Sequence, residues 1–213
     1  LPKKYNLYLL GGDISYSKEI NLSLTCFGQA KLKNIIHQKN CNIGDDIWIT
    51  GNLGNSYLGY KILNNVKLKL KKNYIKKFIK YYLYPEPCMF GVKANNYINS
   101  AIDISDGFFG DLSKILNNKY GAKIDINLIP ISNIMKKILS ENNKLIKIED
   151  ILSWGDDYEL IFTSSKRNRK KLLSLAKSNK VKISLVGSII KKVGIFDDSL
   201  NIIKNVRSFD HFS

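Results

Sequence analysis

The stretch NSAIDISDGFFGDLSKIL, residues 99–116, constrains the fold more than any other part of the chain. An apolar run ending at Ile102 meets Asp103, Ser105, Asp106 and Gly107, after which Phe108, Phe109, Leu112 and Ile115 recur at helical spacing. The pattern predicts a strand, a tight turn and a helix buried along one side, with Ser105 or Asp106 as its N-cap. Acids near a helix N-terminus stabilise its dipole, which accounts for Asp106 and tolerates Asp111. It does not account for Asp103, placed at a strand end with no helix amides on offer. Carboxylates at a strand end suit Mg²⁺, a hard cation that prefers oxygen and often shares its ligands with phosphates. On this stretch alone, capping and metal binding remain equal readings.

Two further segments repeat the motif. Gly11-Gly12-Asp13 follows an apolar run, and its glycines would let a phosphate approach the backbone. Trp154-Gly155-Asp156-Asp157-Tyr158-Glu159 places three acids just ahead of a strand-like LIFT. Each is an ordinary polar turn when taken singly. Three acidic strand-to-turn sites in one basic chain suit divalent cations that bind a polyphosphate.

The formal charge of +16 invites a nucleic-acid reading, but all 34 basic residues except Arg167, Arg169 and Arg207 are lysines. Readers of nucleic acid lean on the planar fork of arginine, so the lysine runs read as solvated helix faces and argue against such a partner. No apolar run approaches the roughly 20 residues that span a bilayer, and no membrane partner is expected. Cys26, Cys41 and Cys88 lack metal-ligand spacing and read as free thiols of a reducing compartment, the cytoplasm. The two histidines, His37 and His211, carry no pattern of a general base.

Strands are expected at 5–10, 20–29, 45–51, 121–130, 158–163 and 181–187, and hairpin-like strands at 193–206 turning at 197–199. Helices are expected near 55–65, 72–83, 89–99, 107–119, 132–139, 148–153 and 166–178, the second ended by Pro85 and Pro87. The first helix has Asn55 or Ser56 as its expected N-cap. The fold class is α+β: a mixed sheet with flanking helices, preceded by the last strands of another α+β domain. The expected boundary puts 1–30 in that earlier domain and 31–213 in a C-terminal α+β domain. The chain starts without Met and almost at once in an apolar run, so further sequence is expected before Leu1.

The segments LLGGDIS, IGDDIWITGNLGNSYLGYKIL, AIDISDGFFGDL, WGDDYELIFT and SFDHF stand in the order and at about the spacing seen in thiamine-monophosphate kinase. The chain resembles that family, and through it the superfamily of aminoimidazole ribonucleotide synthetase and selenophosphate synthetase, from Tyr5 to Phe212. The resemblance implies the C-terminal domain of that fold, behind the end of a nucleotide- and metal-binding N-terminal domain. It implies ATP-dependent phosphorylation of thiamine monophosphate to thiamine diphosphate, by direct in-line transfer assisted by several Mg²⁺ ions. The acceptor is itself a phosphate, so no strong base is needed and an Asp-rich, His-poor site fits.

By the same resemblance Gly12, Asp13 and Ser105 contact ATP, Asp13, Asp103 and Asp106 bind Mg²⁺, and Asp156 and Phe209 contact thiamine monophosphate. Asp111, Asp157 and Glu159 are left as structural acids. A homodimer is implied where the N-terminal domain is present. The departures are Gln38 and Cys88, which stand where the family is usually basic. In addition, Ile14-Ser15-Tyr16-Ser17 replaces a TTRG segment, and Trp154 stands where Gly is common. They keep open a second reading, a truncated or degenerate paralogue that binds a nucleotide or a protein without catalysis. They also keep open another ATP-dependent synthetase of the superfamily, and whether these 213 residues suffice for activity.

Overall fold

The computed structural model describes residues 7–66, 68, 70–141 and 146–203, and the chain divides into two units, 1–31 and 32–213. In the first unit, residues 7–31 contain neither helix nor strand and are exposed throughout. The strands expected at 5–10 and 20–29 therefore do not form across the described part of those ranges. Alternating side chains give a segment two faces, but a strand exists only through hydrogen bonds to a neighbour. Among the described residues no such ladder includes 7–31.

The second unit is built on six strands: β1 (Asp46–Thr50), β2 (Ser100–Asp103), β3 (Gly121–Ile124), β4 (Leu160–Ser164), β5 (Ile183–Ile190) and β6 (Gly194–Phe196). Their order is β2-β4-β1-β5-β3-β6, with every pairing antiparallel except β3 with β6. The helices are α1 (Asn55–Leu63), α2 (Lys72–Leu83), α3 (Phe90–Ala94), α4 (Phe108–Leu116), α5 (Asn133–Glu141), α6 (Ile148–Ser153) and α7 (Arg169–Ser178). The expected mixed sheet with flanking helices is what forms.

Central β1 is buried along its whole length and shows why the sheet needs two covers. Ile47 and Ile49 point into a large core with Leu58 of α1, Leu112 and Ile115 of α4, Met135 of α5 and Ile151 of α6. Trp48, one residue out of phase, points the other way into a smaller core with Phe90 and Ala94 of α3 and Leu172 and Ala176 of α7. Period-2 alternation in one strand thus specifies three layers. β5 carries a bulge: Ile47 pairs with Gly187 but Trp48 with Leu185, so Val186 is the extra residue. Asp46 is buried and accepts both Arg169 Nε and Arg169 Nη2, the latter at 2.7 Å, which ties α7 to the sheet.

The strand expected at 121–130 stops at Ile124, where Asp125 accepts the Asn127 N–H at 2.9 Å and turns the chain into a short 3-10 segment. The helix expected at 89–99 splits into α3 and a 3-10 turn, Asn95–Tyr97. The expected tail hairpin reduces, within the described residues, to β6 and an antiparallel bridge from Phe196 to Ile202. Cys88 is half-buried and packs against the smaller core.

Candidate active site

β2 and β4 pair with Asp103 opposite Leu160, and their ladder continues into the two turns beyond. Ile104 donates its N–H to Glu159 at 2.8 Å, Tyr158 donates to Ile104 at 3.0 Å, and Asp156 donates to Ser105 at 3.2 Å. The DISDG turn and the GDDYE turn therefore run side by side, backbone against backbone. Gly155 permits this, since a Cβ there would lie 1.7 Å from the Ser105 carbonyl oxygen. Gly107 has φ +105°, and its Cβ would lie 2.6 Å from the Ser153 carbonyl oxygen. Gly155 is demanded by this contact between the turns, and Gly107 by its positive φ and the close approach of the end of α6.

The DISDG turn is held from inside. Asp111, on the first turn of α4 and fully buried, accepts the backbone N–H groups of Ser105 and Asp106 with Oδ2, both at 2.9 Å. Its Oδ1 accepts the ammonium of Lys114 at 2.7 Å, and the same ammonium also contacts Asp106 Oδ2. Neither Ser105 nor Asp106 is the N-cap, contrary to the expectation from sequence; Gly107 holds that position without a side-chain hydrogen bond. The carboxylate that organises the turn comes back to it from inside the helix.

The GDDYE turn organises a second helix in a related way. Asp157 accepts the N–H of Gly54 at 2.7 Å, the N–H of Ser56 at 3.2 Å and the Ser56 hydroxyl at 3.0 Å. It satisfies the N-terminal amides of α1 from a distant part of the chain, so neither Asn55 nor Ser56 caps that helix as the sequence suggests. Burial pushes the Asp157 carboxyl up to about 7 despite these hydrogen bonds, and the charge of Glu159 adds to the rise. Glu159 is itself raised by burial, against the pull of a 2.6 Å hydrogen bond from the Thr50 hydroxyl. Asp156 and Tyr158 both sit at positive φ, 61° and 49°, a conformation costly for non-glycine residues and often found at functional sites.

Between α1, α2 and this turn lies a cleft of about 290 Å³. Asp156, Asp157 and Glu159 line one side, Asn52 and Asn55 the floor, and Lys77, Lys80, Tyr81 and Tyr84 the wall from α2 and the residue after it. Sequence reading found the acids of this cleft but not its α2 wall. The only available signal was the recurrence of Lys77, Lys80, Tyr81 and Tyr84 on one side of a helix.

Asp103 is exposed, and Ser105, Asp106 and Asp156 are half-buried, all on the two interlocked turns. Gly12 and Asp13 lie in the exposed segment 7–31 of the first unit. Phe209 lies outside the described residues. Among the described residues no three His, Cys, Asp or Glu side chains come together closely enough to hold a metal ion. The donor chemistry nevertheless fits a hard cation, because Asp103 and Asp106 offer only oxygen and Asp106 already holds a cation in the form of the Lys114 ammonium. A divalent ion here would complete its shell with oxygens from elsewhere, such as substrate phosphates.

No protein-family model matches the chain. It is 39% identical over 218 residues to the thiamine-monophosphate kinase of Buchnera aphidicola subsp. Schizaphis graminum, covering 98% of this chain and 65% of that one. The corresponding kinase of Escherichia coli K12 is 29% identical over 214 residues, with the same coverage of both chains. The chain thus spans a little under two thirds of the length of these curated relatives. Among solved structures, the thiamine-monophosphate kinase of Stenotrophomonas maltophilia superposes with a TM-score of 0.67 at 27% identity, over 76% of this chain and 52% of that one. AaThiL, complexed with AMPPCP and TMP, gives 0.69 at 24% identity, over 83% and 54%. The hydrogenase maturation protein HypE of E. coli shares the fold at 14% identity and a TM-score of 0.56, over 82% and 52%. Among the described residues no helix is long and apolar enough to cross a membrane. The chain is thus similar to thiamine-monophosphate kinases in sequence over 98% of its length and in fold over 76–83% of it.

Proposed function

We propose that the chain supplies the acceptor-binding part and half of the phosphate-binding part of a kinase that phosphorylates thiamine monophosphate to thiamine diphosphate with ATP. The observation that carries this reading is the interlocking of the DISDG and GDDYE turns beside a cleft, in a relative of kinases with that name. The AaThiL neighbour, solved with AMPPCP and TMP, supports a nucleotide and TMP as the ligands.

In this proposal the Ser105 hydroxyl donates to a nucleotide phosphate, and Asp103 and Asp106 hold Mg²⁺ against it. Bound there, Mg²⁺ would neutralise and align the two anions that must meet for in-line transfer. Asp13 is a further Mg²⁺ ligand and nucleotide contact and Gly12 a nucleotide contact, each on the first unit, and Asp156 and Phe209 contact the acceptor. The acceptor lies in the cleft, where the carboxylates and the Tyr81 and Tyr84 rings suit an aromatic cation such as a thiazolium, by charge and by cation–π contact. The lysines Lys77 and Lys80 suit its phosphate. Asp111, Asp157 and Glu159 take no chemical part; they fix the two turns. A homodimer, where the N-terminal domain is present, and a cytoplasmic setting complete the proposal. So does the division of the chain into 1–30, from a nucleotide-binding domain, and 31–213.

The test is thiamine diphosphate formation from thiamine monophosphate and MgATP by the native gene product with whatever precedes Leu1, with Asp103→Asn as the variant. Turnover that requires Mg²⁺ and falls at least a hundredfold in Asp103→Asn, at unchanged circular dichroism, is expected. Asp103 is exposed, so its amide should leave the fold intact. Undiminished turnover in Asp103→Asn removes that residue from the mechanism. A folded chain that binds nucleotide and forms no product supports the second reading, a non-catalytic nucleotide-binding relative. That reading is favoured by Cys88, which packs against the apolar core where the family is usually basic.

A further inference from the structure

Asp111 and Lys114 stand three residues apart on α4, a spacing that brings two side chains together on one helix face. The Lys114 ammonium bridges Asp111 Oδ1, at 2.7 Å, and Asp106 Oδ2. The two carboxylates differ. Asp111 is sealed in the core with its other oxygen committed to two backbone amides, whereas the Asp106 side chain is 33% exposed and faces solvent beside Asp103. One end of the bridge is fixed, and the other lies where an ion from solution can compete for it.

We propose that Lys114 is the resident cation of the DISDG turn: its ammonium occupies Asp106 until a divalent ion displaces it, and so sets how tightly the turn holds that ion. The inference rests on the metal-binding reading of Asp103 and Asp106. The physical argument is charge competition. A carboxylate already paired with an ammonium must give up that contact to ligate a second cation, and the ammonium then repels the arriving ion at short range. Because Asp111 keeps hold of Lys114, the positive charge stays beside the turn instead of leaving for solvent. The ammonium also spares the turn the mutual repulsion of Asp106 and Asp111. Lys114 is thus a positioning residue that acts through Asp106.

The experiment measures Mn²⁺ binding to the full chain without nucleotide, by electron paramagnetic resonance, with melting temperatures recorded alongside. The variants are Lys114→Met, Lys114→Arg and Asp106→Asn. Lys114→Met keeps the apolar stem and removes the charge; it should bind Mn²⁺ about tenfold more tightly than the parent. Lys114→Arg should stay close to the parent, and Asp106→Asn should lose the binding. Mn²⁺ binding that Asp106→Asn abolishes but Lys114→Met leaves unchanged or weakens overturns the role of Lys114 alone. Mn²⁺ binding that is absent from every variant, or indifferent to Asp106→Asn, overturns the metal-binding reading and this inference with it.

Discussion

At Asp157 two consequences of folding oppose each other. Three hydrogen bonds from Gly54 and Ser56 favour its charged form, yet burial wins and carries the carboxyl up to about 7. The folded chain holds this proton to a higher pH than the unfolded chain, where an aspartate titrates near 3.9. Its contribution to stability is therefore complete below the unfolded value and is lost as pH rises through about 7. Asp157→Asn, which keeps the shape without the charge, should gain on the parent chain between pH 4 and pH 8, by on the order of 3 kcal/mol. Urea unfolding at the two pH values reads this directly, and parallel curves would show that Asp157 does not titrate in that window. Nothing in the local sequence separates Asp157 from Asp156. What separates them is α1, about 100 residues earlier in the chain, whose amides only one of the two carboxylates can reach. Asp111 was expected as a structural acid; the amides it holds, and the link from Lys114 to Asp106, follow only from how the turn folds back over α4.

Among the elements, the strand–turn–helix at 100–116 and the strand at 46–50 were legible because their signals are local. An apolar period, a glycine and a stop lie within a few residues of one another. The Gly107 and Gly155 positions were legible as turns but not as contacts. Only the pairing of β2 with β4 shows that Gly155 faces the DISDG backbone, and only the packing of α6 shows that Gly107 faces that helix's last carbonyls. Gly155→Ala should therefore be far costlier than a typical surface change. The new methyl would have to push the Ser105 carbonyl away, breaking the Asp156-to-Ser105 hydrogen bond and spreading the two turns. A loss of about 2 kcal/mol or more is expected, by analogy with overpacked cores. Differential scanning calorimetry would show it, and an unaltered melting temperature would mean that the turns separate without strain. The strands expected at 5–10 and 20–29 do not form over their described residues, 7–10 and 20–29, for the converse reason: an apolar run or an alternation is local, whereas a ladder needs a partner strand.

At the scale of the whole molecule, the two units differ in what guards them. Residues 32–203 enclose two cores around one sheet, whereas 7–31 expose Leu9, Leu10, Ile14, Tyr16, Ile20 and Leu22, each at least 84% accessible. A chain without backbone ladders is open to a protease active site, and one inside a sheet is not. Limited chymotrypsin digestion should cut first within 7–31 and leave the sheet unit intact. First cleavage inside 46–190 would contradict that order.

The fully buried Asp111 belongs at once to the core and to the mouth of the site. Its consequence is thermodynamic. The DISDG turn is held from inside by the core helix and alongside by the GDDYE turn, so it cannot melt by itself while the core stays intact, nor keep its shape once α4 is lost. Whatever grips the turn must therefore hold the whole sheet unit together. A ligand present at 100 times its dissociation constant would add about 2.7 kcal/mol to global unfolding. The melting temperature of this chain thus becomes a direct gauge of what its acidic turn recognises, with no need for turnover.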